Sequence, residues 1–244
     1  MSDVADDEGL YFRQLLSGRD FARGDQMARQ MVNFVYLVGD RETGEAVAVD
    51  PAYGVDELLE MLDADGLRLT GVLATHYHAD HCGGDIMGYA IEGLRELLAR
   101  DDGAVPVHVQ RAESEWVKRS TGLSDSDLTL HDGGDVVHVG QIPITLMHTP
   151  GHTPGSQCFV VDDKLVAGDT LFLEGCGRTD LPGSDPDAMY ESLTQRLAKV
   201  PDSSVLYPGH LYSREPSATM GETREHNYVF RIRDLDHWRA FMGG

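Results

Sequence analysis

The sequence predicts an α/β protein in which two β-sheets pack face to face with helices on the outside. Two observations carry that expectation: each half of the chain runs hairpins, then strands, then helices, and no linker or low-complexity stretch separates the halves. A third concerns position, because histidines and aspartates able to ligate a metal collect at the ends of predicted strands. With 244 residues, 41% of them hydrophobic, the chain can bury a substantial core as one domain spanning residues 1–244.

An apolar–polar alternation over residues 11–16 predicts a first strand, and a Gly/Arg/Asp-rich loop follows to about Arg29. Residues 34–38 and 46–49 are β-rich and joined around Gly44 as a hairpin, with Asp50-Pro51 ending the second strand. Val55, Leu58, Leu59 and Leu62 recur at helical spacing up to Gly66, a C-cap, and residues 69–74 form the next strand. Ile86, Ala90, Ile91, Leu94, Leu97 and Leu98 read as the apolar stripe of one helix ending near Arg100. Residues 105–109 predict a strand, 113–119 a short helix and 120–128 a polar loop. Two more hairpins pair 135–139 with 142–147 and 158–161 with 165–167. Asp185 and Pro186 open a helix carrying Met189, Tyr190, Leu193 and Leu197. Residues 205–207 are the last strand expected, and 234–242 a closing helix. The segment at about 86–131 is longer than a strand–helix–strand connection needs and is expected as a helical insertion. Its Trp116, Val117 and Leu123 would overhang the pocket, contact a second subunit in a homodimer, or pack in the core.

The formal net charge is -21, and Lys118, Lys164 and Lys199 are the only lysines. Such a field repels phosphate backbones and anionic lipid, so neither nucleic acid nor a membrane is expected as partner. The start of the chain lacks the positive and apolar regions of a signal peptide. No run approaches the roughly 18 apolar residues of a membrane span, which predicts a cytoplasmic location. Cys82, Cys158 and Cys176 form an odd, sparse set that agrees with a reducing compartment.

Residues 75–84 read Thr-His-Tyr-His-Ala-Asp-His-Cys-Gly-Gly, directly after the apolar run 71–74. Imidazole and carboxylate at this density are ligands for borderline divalent metals such as zinc or iron. Alternate residues of a short loop face different ways, so His76 and His78 can serve one ion while Asp80 and His81 serve another. The loop therefore needs partners. His152, Asp169 and His210 each follow a predicted strand and stand beside glycines that let the backbone turn sharply.

The motifs Thr-His-Tyr-His-Ala-Asp-His, Thr-Pro-Gly-His-Thr-Pro-Gly-Ser, Gly-Asp-Thr-Leu-Phe and Tyr-Pro-Gly-His resemble the metallo-β-lactamase superfamily, in the family's order from about Tyr11 to His210. Gly175-Cys176-Gly177-Arg178-Thr179-Asp180 is similar to the segment shared by glyoxalase II-like thioesterases and persulfide dioxygenases. The resemblance implies an αββα four-layer sandwich. It places His76, His78 and His152 on one metal, Asp80, His81 and His210 on a second, and Asp169 between them. It also implies two divalent ions, zinc ahead of iron or manganese, with Asp80 and Asp169 as the carboxylates of catalysis. The expected reaction is hydrolysis of an acyl thioester of a small thiol by metal-activated hydroxide. Arg178 would bind a substrate carboxylate, or else pair with Asp180 or Asp185. Cys82 and Cys176 are expected to pack rather than ligate.

Two departures qualify the resemblance. Only residues 211–244 follow His210, whereas glyoxalase II proper carries a sizeable C-terminal helical region, and His-Leu-Tyr at 210–212 replaces the His-Asp-Tyr of both families. The alternative is a persulfide dioxygenase with one iron on His76, His152 and Asp169, which the opening Tyr11-Phe12-Arg13-Gln14-Leu15 also resembles. A lactonase, a nuclease and a non-catalytic metal-binding scaffold are lesser alternatives.

Overall fold

The computed structural model describes residues 9–100 and 105–242, so the N-terminal residues on which the signal-peptide expectation rests lie outside the described residues. The first half contains β1 (Leu10–Leu16), α1 (Gln26–Met31), β2 (Phe34–Asp40), β3 (Glu45–Val49), α2 (Val55–Ala64), β4 (Arg68–Leu73), α3 (Ala79–Cys82), β5 (Gly84–Ile86), β6 (Tyr89–Ile91), α4 (Leu94–Arg100), β7 (Val107–Gln110), α5 (Ser114–Thr121) and β8 (Leu128–His131). The second contains β9 (Val136–Val139), β10 (Ile142–His148), β11 (Gln157–Val161), β12 (Lys164–Gly168), α6 (Pro186–Glu191), β13 (Val205–Pro208), β14 (Ala218–Thr219), α7 (Met220–His226) and α8 (Leu235–Met242).

β2 shows how the layers arise. Every residue in it is buried, and alternate side chains serve different cores. Phe34, Tyr36 and Val38 meet Ile144, Leu146, Phe159 and Val166 between the sheets, while Val35 and Leu37 join Leu58, Leu62 and Leu97 beneath the outer helices. A third core packs Leu165 and Leu206 against Met189, Met220 and Trp238 of α6, α7 and α8. The result is the four-layer αββα arrangement. The first sheet runs β1-β2-β3-β4-β7-β8 and the second β14-β13-β12-β11-β10-β9. In each, antiparallel pairs give way to parallel ones, β3 with β4 and β12 with β13.

Several elements differ from expectation. The single helix over 86–100 is instead the hairpin β5–β6 followed by α4. Ile86 pairs with Tyr89, which leaves Met87 (φ 53) and Gly88 (φ 88) as a two-residue loop whose positive φ values match a type I′ turn. The spacing of Ile86, Ala90 and Ile91 suits either element, so periodicity alone misled. The segment 86–131, expected as a helical insertion, supplies β7 and β8 to the first sheet. Residues 26–31, expected as loop, form α1, whose N-cap Asp25 accepts the Ala28 N–H. Beyond β13 come β14 and α7, the latter opened by a reciprocal cap between Thr219 and Glu222. No helix among the described residues is long and apolar enough to cross a membrane.

Candidate metal centre

β4, β10, β12 and β13 end at one edge of the sandwich, and the chain leaving each carries a ligand. Thr75 first secures the exit from β4: its N–H and hydroxyl both donate to Asp50, at 2.7 and 2.6 Å. The chain then passes His76 and His78 before α3, a single turn that buries Asp80 and His81. Parallel pairing of β12 with β13 delivers Asp169 and His210 side by side. Gly209 permits that approach, since a Cβ there would lie 2.3 Å from Asp169 Oδ1.

The expected ligands form two sets. Atoms of His76, His78 and His152 lie within 4.8 Å of one another, as do atoms of Asp80, His81 and His210. His152 Nε2 is 3.0 Å from His78 Nδ1, and His81 Nε2 is 3.2 Å from His210 Nε2. Asp169 lies between the sets: Oδ2 is 3.7 Å from His152 Nε2 and 3.4 Å from His210 Nε2, and Oδ1 is 3.4 Å from His81 Nε2.

Four of the five imidazoles are aimed from behind. The Nδ1 atoms of His152 and His210 donate to the carbonyls of Arg178 and Met31, at 2.8 and 2.7 Å. His81 Nδ1 donates to Asp50 Oδ2 at 2.9 Å. The Thr75 hydroxyl spends its proton on Asp50, so it accepts from His76 Nδ1 at 2.9 Å. These anchors leave the Nε2 atoms of His76, His81, His152 and His210 facing the centre, the arrangement found behind metal-ligating histidines.

The electrostatics belong to a site built for cations. Burial and the neighbouring imidazoles hold His76 well below the usual histidine range, and burial with His152 brings His78 down to about 4. Burial opposes a charge on His81, but Asp80, Asp169 and Asp50 outweigh it and push its pKa up to about 10. Against the cost of burial, His210 and His81 keep Asp169 well below the ordinary carboxylate range. Two of the three buried side-chain atoms without a hydrogen-bond partner among the described residues are His76 Nε2 and Asp169 Oδ1. Orphaned donors of this type, at the focus of the cluster, fit a divalent ion.

The ligands open into a cavity of about 970 Å³, walled on one side by Ile86, Met87, Phe172 and Tyr228. Arg178 lines it too, but its guanidinium grips Asp180 through bonds of 2.6 and 2.7 Å, while Asp185 caps α6. Cys82 donates from Sγ to the His76 carbonyl, away from the ligand atoms. Burial pushes the Cys176 thiol, on the cavity wall, up to about 12.

Sequence reasoning missed three residues that serve the centre. Asp50 carries the same signal as the ligands, a carboxylate at a strand end, but was read only as a strand stop. Asn33 Nδ2 lies 3.1 Å from Asp80 Oδ2, 3.3 Å from His81 Nε2 and 3.5 Å from His210 Nε2, with no local pattern to announce it. Glu113 stood out only as the start of a helix.

Comparison with known proteins identifies the family. Human mitochondrial persulfide dioxygenase ETHE1 is 31% identical over 88% of this chain and 80% of its own length. A hydroxyacylglutathione hydrolase of Rhodopseudomonas palustris is 38% identical over 74% of this chain, which spans 63% of that relative's length. The crystal structure of ETHE1 from Myxococcus xanthus superposes with a TM-score of 0.75 at 29% identity, covering 95% of this chain and 89% of that one. The model of the metallo-beta-lactamase superfamily matches residues 29–210, and the chain belongs to that superfamily of metal-dependent enzymes.

Proposed function

We propose that the protein is a metal-dependent hydrolase that cleaves the thioester of a small thiol. One observation carries this reading: the Asp169 carboxylate faces His152 of one ligand set and both His81 and His210 of the other, so a single residue can serve two ions. The hydroxyacylglutathione hydrolase of R. palustris lends support through its identity with this chain. Divalent ions at the two sets would lower the pKa of a bound water towards about 7 and polarise a substrate carbonyl.

The chain's own residues do the remaining work. Asp169, kept ionised by His210 and His81, offers a carboxylate throughout the neutral range. Asn33 donates to Asp80 and fixes that carboxylate's orientation. Tyr212 stacks on His210 with ring centroids 4.6 Å apart, which holds the ring while its Nδ1–H stays on the Met31 carbonyl. Apolar lining from Ile86, Met87 and Phe172 suits an acyl group.

A persulfide dioxygenase with one iron is the second reading, and specific observations favour it. The centre's two unpartnered atoms, His76 Nε2 and Asp169 Oδ1, belong to the triad His76, His152 and Asp169. The ligand atoms of the other set all lie within 3.5 Å of Asn33 Nδ2. Metal analysis of protein purified without added metal, paired with thioester cleavage and with oxygen uptake on glutathione persulfide, separates the two. Two ions, thioester cleavage and no uptake are expected. One iron per chain with uptake would overturn the hydrolase reading.

A further inference from the structure

The loop carrying His76 and His78 leaves the first sheet, the loop carrying His152 leaves the second, and one buried carboxylate ties them together. Glu113, 1% exposed, accepts the Tyr77 N–H through Oε1 at 2.8 Å and the Gly155 N–H through Oε2 at 2.6 Å. Tyr77 lies between His76 and His78, and Gly155 lies just beyond His152. The Thr153 side chain also donates to Glu113. We infer that Glu113 is a positioning residue, a clamp that sets the spacing of the two ligand-bearing loops and so assembles the His76–His78–His152 set.

Three features carry the inference. A buried carboxylate is costly unless its oxygens are satisfied, and among the described residues no ion pair involves Glu113, so its bonds to the two loops are what retain it. Burial pushes the Glu113 carboxyl up to about 7 against the pull of its bonds from Thr153, Tyr77 and Gly155, so its charged form depends on its ties to the two loops. The three ring centroids stand 4.7, 4.7 and 4.9 Å apart, an almost equilateral triangle, and Glu113 bonds the backbone beside two of its corners on opposite loops. The approach is close enough to demand glycine, because a Cβ at Gly155 would lie 2.5 Å from Glu113 Cβ. Trp116, just beyond Glu113 on α5, stacks on Tyr77 at 4.9 Å and holds the same loop through its side chain.

The inference goes beyond the proposed reaction, since His76 and His152 belong to the ligand sets of both readings. Its test uses full-length Glu113→Gln, stripped of metal and titrated with Zn²⁺ against a chromogenic chelator. Hydrogen exchange over residues 75–79 and 151–156 is followed in parallel. Glutamine keeps the volume but presents an N–H to one of the two amides, so one tie is lost. A native circular-dichroism spectrum, zinc binding at least tenfold weaker and faster exchange in both loops are expected. A merely structural role would lower the melting temperature and leave zinc affinity and loop exchange at wild-type values, which would overturn the proposal. Should that variant not fold, Glu113→Asp decides: one methylene shorter, it reaches one amide and not both. Tenfold weaker zinc binding then supports the clamp, and unchanged binding overturns it.

Discussion

Asp50 shows how much of a metal centre can reside in a residue outside its two expected ligand sets. Its carboxylate receives the Thr75 N–H, the Thr75 hydroxyl and His81 Nδ1, and its own backbone sits at φ 52, a conformation that costs an aspartate about 1 kcal/mol or more. Asp50→Asn should therefore fold, bind the ion at Asp80, His81 and His210 about 10- to 100-fold more weakly, and show this in metal content after dialysis. The ligands themselves were legible because all seven sit in compact motifs with glycine neighbours. Asn33 and Glu113 were not, because a lone polar residue acquires its role only when distant segments converge. For Arg178 the sequence leaves two readings, a substrate carboxylate or a pair with Asp180 or Asp185, and in the structure its guanidinium bonds Asp180. Away from the centre, burial and His131 bring His108 down to about 4, with Nδ1 2.9 Å from His131 Nε2. Because that value lies below the unfolded one, the associated stability is present above about pH 6.5 and is lost as pH falls towards 4. His108→Gln should flatten the fall in melting temperature across that window by the equivalent of roughly 2 kcal/mol, the half-buried ring being partly screened.

At the scale of elements, the strands and the hairpins of the second sheet could be read from alternation and turn residues, whereas the region after the metal loop could not. Ile86, Ala90 and Ile91 satisfy a helical stripe, yet Met87-Gly88 closes a hairpin, and Tyr89 and Ala90 face outward. β8 was missed because LTLH is short and only partly buried, and β14 because it has just two residues. Gly93 separates hairpin from helix for a steric reason, since an added Cβ would fall 2.4 Å from the Cys82 carbonyl oxygen and the Gly83 nitrogen. All of those atoms are backbone, so nothing nearby can swing aside. Gly93→Ala should cost about 3 kcal/mol in chemical denaturation and displace α3, with Asp80 and His81 following it.

For the whole molecule, the four-layer architecture was readable because both halves repeat the same progression of elements, whereas the charge pattern has no bearing on the fold. The motif resemblance already groups His76 and His78 with His152, and Asp80 and His81 with His210, and in the structure each of these sets draws on both sheets. An ion bound to either set therefore links the halves, and its binding energy adds to stability by mass action, about 4 kcal/mol when free metal exceeds its dissociation constant a thousandfold. Chelation should lower the melting temperature by roughly 10 °C for a chain of this size, measured by calorimetry before and after metal is restored.

That linkage gives the ions a second importance, outside the reaction. A chain lacking metal would lose its ties between the sheets at the edge where the ligand loops meet, and those loops would open to proteases before the buried core between the sheets does. Metal supply would then govern how long each copy survives as well as how fast it turns over, so that starvation for the ion removes the protein instead of leaving an idle pool of it.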